Sequence, residues 1–332
     1  MNASNLMYFG TVVLSLLATA LVAGCANLRE RPAGTLTPRS IEQVREAWPV
    51  QQDVSAGTAV RSSANSPKVA LVLGGGGLRG FAHLGVLRAL EEAGIQPGIV
   101  VGTSAGAVVG AAYASGMSAV EIEAVASKVK LSSLIDLTFA KGGLMRGDNI
   151  ARWIDSITAG VPIERFPRRF GAVATDLGSG RAVLLDQGAA GAAVQASAAV
   201  PGANVPVAYE GGHLVDGGIT SLVPVRFARA MGADFVIAVD VYCSGAGSDG
   251  LSAPSVVLRA MRTQSCLVAA AEMAEADVLL SPPVTVPGMS ARDEQQLAIK
   301  AGYEAAMAAM PRIQSRQPRQ SYAACPEPSY LN

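Results

Sequence analysis

Val69 to Leu73 (VALVL) is a run of β-rich apolar residues that stops at Gly74-Gly75-Gly76-Gly77. Helical spacing follows over 79–93, with Phe81, Leu84, Leu87 and Leu90 on one face. The same grammar recurs at once: Ile99-Val100-Val101, then Gly102-Thr103-Ser104-Ala105-Gly106, then the small-residue helical stretch from Ala105 to Ser115. A short, uninterrupted apolar strand that opens into a helix through glycines suits a parallel sheet covered on both faces. Further strands are predicted at Gly171–Ala174, Ala182–Leu185 and Phe235–Val241, and a hairpin joins 207–209 to 213–215. Helices are predicted at 118–129, 149–157, 189–197, 225–231, 254–275 and 291–310. The predicted fold class is α/β, a three-layer α/β/α sandwich with a mostly parallel central sheet and right-handed crossovers.

Composition narrows the function classes. Lys+Arg and Asp+Glu balance at 26 each, which leaves no basic footprint for nucleic acid. Charged residues are 16% of the chain, against about 25% in an ordinary soluble domain, and aromatics are only 5%. One long apolar run, Tyr8 to Gly24, excludes a polytopic membrane protein. That run falls short of the ~20 residues that span a bilayer comfortably, and it ends in small residues before Cys25. It reads as a secretory signal. Leu21-Val22-Ala23-Gly24-Cys25 resembles the lipobox of bacterial lipoproteins, although no Lys or Arg precedes the run. That resemblance implies acylation of Cys25, stable membrane attachment through several acyl chains, and residence in the bacterial cell envelope. Ala26, which is not acidic, implies the outer membrane facing the periplasm in a Gram-negative cell.

The expected organisation is a signal peptide at 1–24, a flexible tether at 25–68 carrying at most a short helix at 41–48, a catalytic domain at 69–313, and a loosely ordered tail at 314–332. Cys243, Cys266 and Cys325 show no metal-type spacing. Cys243 and Cys266 are expected as small buried hydrophobes, with a bridge open to them on the oxidising side of a membrane. No His/Cys/carboxylate cluster calls for a metal, no cofactor is implied, and nothing sets an oligomeric state.

Three motifs carry chemistry. In Gly74–Gly80 the glycines let backbone amides face negative charge, and the following helix adds its N-terminal dipole. Gly75, Gly77 and Gly80 also fit a dinucleotide fingerprint, but the second strand runs into Gly102-Thr103-Ser104 and not into the acidic residue such a site wants. Gly102-x-Ser104-x-Gly106 has the strand-before, helix-after context of a nucleophile elbow. Asp216-Gly217-Gly218 follows the hairpin. A Ser-acid-His order needs a histidine after the acid, and none follows His213. His83, beside the glycine loop, is expected to pack, and His213 to be solvated. The residues therefore favour a serine whose base is a carboxylate.

A GGGxRG loop, GxSxG, a late DGG and the stretch QASAAVPGANVPV at 195–207, with the Thr175-Asp176 pair, resemble the patatin-like phospholipase family over about 69–230. The resemblance implies a patatin-like fold and a serine lipid acyl hydrolase of phospholipase A or lysophospholipase type. Ser104 would be the nucleophile, Asp216 the general base, and the amides of Gly75, Gly76 and Gly77 the oxyanion hole. Arg79 would brace the loop, or meet phosphate, while Gly80, Gly102, Gly106, Gly217 and Gly218 shape the turns. A phospholipid or another lipid ester would be the substrate. The rival readings are a non-lipid esterase or thioesterase, and a lipoprotein that only binds lipid or a partner. Between 131 and 160, Leu131, Leu134, Ile135, Leu137, Phe139, Leu144 and Met145 form an apolar set around Gly142-Gly143. Core packing is its first reading and a lipid-facing mouth or lid its second.

Overall fold

A computed structural model describes residues 36–48, 68–138, 142–245 and 251–316. The apolar run, Cys25, Phe139 and Cys325 lie outside the described residues. The elements in chain order are α1 (Ile41–Ala47), β1 (Val69–Leu73), α2 (Phe81–Glu92), β2 (Ile99–Thr103), α3 (Ala105–Ala114), α4 (Ala119–Lys128) and α5 (Asp148–Ile157). They continue with β3 (Arg169–Asp176), β4 (Arg181–Leu185), α6 (Ala190–Ser197), β5 (Val207–Tyr209), β6 (Gly212–Asp216) and α7 (Val225–Ala230). The last are β7 (Phe235–Val239), α8 (Ala253–Met273), β8 (Val278–Leu280) and α9 (Arg292–Arg316).

The sheet runs β5-β6-β3-β2-β1-β7-β8, and β4 pairs with β3. The pairs β1–β2, β1–β7, β2–β3 and β7–β8 are parallel. β4 and β6 run antiparallel to β3, and β5 antiparallel to β6. β1 and β2 are buried along their whole length, as an apolar strand without polar alternation requires. Alternate residues part to opposite faces. Leu71 and Leu73 join one core with Leu84, Leu87 and Leu90 of α2 and Ile299 of α9. Ala70 and Val72 join the other with Val225 and Phe227 of α7 and Ala269 of α8. These two cores make the three layers.

Three boundaries differ from expectation. The segment 36–48, expected within the tether, is docked on the domain. Arg39 pairs with Leu184 as an added antiparallel bridge and forms an ion pair with Asp186. Val44 is fully buried, and the Arg169 guanidinium lies 4.0 Å from the centroid of the Trp48 ring system. Four anchors on so short a piece outweigh its polar composition. α9 runs past the expected domain end at 313 to Arg316, because Ile313 is buried in the core. β8, too short to show a period, forms because Ile237 to Val239 of β7 supply a parallel template.

Candidate active site

β2 leads into α3 through Ser104, whose φ of 54° and ψ of −119° lie outside the ordinary range for a side-chain-bearing residue. Such strain costs about 1–3 kcal/mol and persists where the surroundings over-determine it. They do so here. The Ser104 amide donates to Ser197 Oγ at 2.9 Å, and that hydroxyl donates to the Val173 carbonyl at 2.6 Å. The Thr103 hydroxyl donates to the Ser221 carbonyl at 2.8 Å. A Cβ at Gly102 would overlap the carbonyl of Gly106, and one at Gly106 would overlap the carbonyl of Leu73. Crowding between elbow and sheet thus explains both glycines flanking the serine.

Asp216 ends β6, in register with Ala174 of β3. Its amide donates to Ala199 O at 2.8 Å and its carbonyl accepts the Thr175 hydroxyl at 3.0 Å, so its backbone is held from both sides. The side chain is buried and accepts the Gly218 amide at 2.7 Å, and the Ser104 hydroxyl lies near enough to draw its pKa down. Burial pushes its pKa from the ordinary 3.8 up to about 6, against the opposing pull of the nearby Ser104 hydroxyl and the Gly218 amide. Gly217 sits where a Cβ would strike the Val173 carbonyl.

The histidines stand apart from this pair. His83 is fully buried and its Nε2–H donates to the Gly74 carbonyl at 2.9 Å. Burial lowers its pKa to about 4, which keeps the ring neutral under the glycine loop. His213 is exposed on β6.

The glycine loop passes directly beside the serine: a Cβ at Gly75 would lie 3.4 Å from Ser104 Cβ. Its amides are not equivalent. Gly74 donates to Val239 O at 2.9 Å and Gly75 to Leu222 O at 3.0 Å. The Gly75 amide is thereby committed to a carbonyl, which corrects its expected place in an oxyanion hole. Among the described residues, the Gly76 and Gly77 amides have no backbone acceptor. Gly77 has φ +58°, and Gly76 opens the 3₁₀ turn Gly77–Gly80, where Arg79 N donates back to Gly76 O at 3.2 Å. Arg79 is buried, with its guanidinium 5.4 Å from the centroid of the Tyr242 ring, an arrangement that braces the loop. Gly80 lies against Ala105, where an added Cβ would come within 2.8 Å of the Ala105 Cβ.

Ser197, Ser221 and Val173 hold the elbow, yet sequence reasoning assigned none of them a role. Ser197 belongs to the 195–207 stretch that carries the family resemblance, and that is its one signal. Cys243 and Cys266 form a disulfide, which corrects the expectation of two separate buried thiols. Their chain separation conceals that the end of β7 lies against α8.

The described residues of the apolar set after α4 are not core. Leu137 is 81% exposed, Leu144 66%, and Ile135 is exposed as well. Leu137 bridges Met145, the amides of Leu144 and Met145 donate to Ala203 O, and Val205 donates to Met145 O. Asp136 accepts the amides of Arg146, Gly147 and Asn149. The backbone is thus satisfied internally while the leucines face outward.

The site thus combines a serine on a strained strand-to-helix elbow, a buried carboxyl and a glycine loop at the end of an α/β sheet. The family model for patatin-like phospholipases matches residues 71–229, so that this segment belongs to that family. An uncharacterized NTE family protein of Mycobacterium tuberculosis is 37% identical over 222 residues, 64% of this chain and 60% of that protein. Lysophospholipase NTE1 of Pyricularia oryzae is 37% identical over 179 residues, 52% of this chain and 12% of that protein. The matched region therefore spans less than two thirds of these relatives. The crystal structure of VipD from Legionella pneumophila shares the fold, with a TM-score of 0.53 and 16% identity over 78% of this chain and 71% of VipD.

Proposed function

We propose that the chain is a serine lipid acyl hydrolase of phospholipase A or lysophospholipase type. The observation that carries this reading is the placement of Ser104, on its strained elbow, beside the buried Asp216 carboxyl, whose raised pKa its hydroxyl opposes. Family membership and the lysophospholipase relative support the lipid substrate. Ser104 Oγ attacks the ester carbonyl as Asp216 takes its proton. The tetrahedral oxyanion is met by the Gly76 and Gly77 amides, and one such donor contributes about 3–4 kcal/mol to the transition state. Asp216 returns the proton to the departing alcohol, which leaves an acyl group on Ser104. Water then attacks with Asp216 again as base, and the fatty acid departs. A carboxylate with a pKa near 6 is ionised at neutral pH yet more basic than a solvated aspartate, the compromise a general base needs.

A fluorophosphonate probe tests the reading: wild type labels at Ser104 and Ser104→Ala does not. Product analysis on phospholipid, lysophospholipid and neutral ester then separates the lipid classes. Absence of labelling and of turnover in the folded wild type would leave a lipid- or partner-binding protein instead.

We also infer that the protein works outside the cytosol, attached through acylated Cys25. The lipobox-like Leu21–Cys25 supports this, and the Cys243–Cys266 bridge suits an oxidising compartment. Metabolic labelling with an alkyne fatty acid tests it. Incorporation should disappear in Cys25→Ser, and an unlabelled wild type would refute it.

A further inference from the structure

The chain from Val239 to Gly245 forms the wall behind the glycine loop. The Val239 carbonyl takes the Gly74 amide at 2.9 Å. Val241 is fully buried and packs where a Cβ on Gly76 would come within 2.5 Å of its Cγ2. The Tyr242 ring has a guanidinium carbon 5.4 Å from its centroid from each of Arg79 and Arg262. Asp240 folds the wall on itself, with its carboxylate accepting the amides of Tyr242 and Cys243 at 2.9 Å and of Ser244 at 3.2 Å.

Two ties fasten this wall to α8, and both come from one stretch of that helix. Arg262 donates to the carbonyl of Tyr242 at 2.7 Å and to that of Gly245. One turn later Cys266 is bridged to Cys243. Both cysteines are half-buried, so a small dithiol can reach them. The proposed reaction mechanism uses neither tie, yet each has an end one or two residues from Val241, at Tyr242 or Cys243, and Val241 touches the loop carrying the two amides that have no backbone acceptor among the described residues.

We infer that the Cys243–Cys266 bridge is a positioning element for the Gly76 and Gly77 amides, acting through Val241 and Tyr242, so that turnover depends on the bridge being oxidised. This rests on the reading of Ser104 as an acyl-transfer nucleophile. A misplaced oxyanion donor weakens the transition state and leaves ground-state binding intact, so the effect falls on kcat and not on KM.

The test treats full-length wild type with dithiothreitol, which is oxidised to its cyclic disulfide as the protein bridge takes up two electrons and two protons. Thiol titration verifies opening, and a chemical melt verifies that the fold persists. Hydrolysis of a soluble short-chain ester is then measured beside hydrogen exchange of a peptide covering 74–80. The inference expects kcat to fall about tenfold with KM within about twofold, faster exchange in the 74–80 peptide, and recovery of both on reoxidation. Cys243→Ala/Cys266→Ala should behave like reduced wild type and should not recover. Val241→Ala, which keeps the bridge, covers the case in which opening unfolds the protein, and it too should lower kcat and speed exchange.

Unchanged exchange after verified opening, or in Val241→Ala, overturns the inference whatever the activity. Unchanged kcat in the opened wild type, or in Val241→Ala if opening unfolds the protein, also overturns it. Faster exchange in a protein that hydrolyses nothing before treatment upholds the coupling of bridge to loop, but it overturns the dependence of turnover and the hydrolase reading with it.

Discussion

Replacing Asp216 by Asn should stabilise the protein at neutral pH and do so by an amount that depends on pH. The folded state holds this carboxyl with a pKa near 6 against an ordinary 3.8, because burial penalises the charge. Between those values the folded protein keeps a proton that the unfolded chain has released, so stability falls as pH rises through the window. Above pH 7 the penalty is complete, at about 3 kcal/mol from ~1.4 kcal/mol per pH unit. At pH 4 it has shrunk to roughly half a kcal/mol. Asn removes this term and adds an amide donor without a guaranteed partner, a cost of about 1–3 kcal/mol that does not vary with pH. The change in the difference between the two proteins therefore isolates the carboxyl. His83 works in the opposite sense: with its pKa lowered to about 4, stability is lost as pH falls from 6.5 through 4, but this is common to both proteins and cancels. Guanidinium melts of both at pH 4 and pH 7.5 should show the advantage of the variant growing by about 2–3 kcal/mol at the higher pH. A constant difference, or one that grows at pH 4, would refute the burial of an ionisable Asp216.

The same carboxyl should set the acid limb of turnover near pH 6, with rates at pH 5 about a tenth of the plateau, and His83→Gln/His213→Gln should retain that limb; its disappearance in the double variant would assign the base to an imidazole. Ser197→Ala leaves the Ser104 amide and the Val173 carbonyl without their partner, so it should cost about 1–3 kcal/mol in a denaturant melt and reduce kcat, and wild-type values for both would contradict the support given to the elbow. Gly106→Ala forces a methyl into the Leu73 carbonyl and should destabilise by ~3 kcal/mol or more, read as loss of soluble folded protein. Leu137→Ser/Leu144→Ser changes exposed side chains, so stability should stay within about 0.5 kcal/mol while hydrolysis of vesicle phospholipid falls and that of a soluble short-chain ester persists. An equal loss on both substrates would count against a lipid-facing surface.

Local rules sufficed for much of this molecule. The apolar runs at β1, β2 and β7, the 3.6-residue spacing of α2 and the glycines around Ser104 each report what a few neighbouring residues do to one another, and that information is contiguous in the chain. The elbow is legible for that reason, and the shortage of histidines pointed to a carboxylate as the proposed base. Tertiary contact decided the rest. Asp216 comes near Ser104 because β6 pairs with β3 while β3 pairs with β2, a register that no local pattern encodes. The Gly75 amide is spent on Leu222, a partner supplied by a remote segment, while the Gly76 and Gly77 amides have no backbone acceptor among the described residues. Leu137 and Leu144 have the composition of core residues and are exposed because their hairpin is tied by its backbone to Ala203 and Val205, which leaves the side chains outside. Arg39, Val44 and Trp48 find their partners on β3, β4 and α7, so a stretch that reads as linker becomes part of the domain. Periodicity reports which face of an element is apolar; which surface that face meets is settled by the packing of segments distant in sequence.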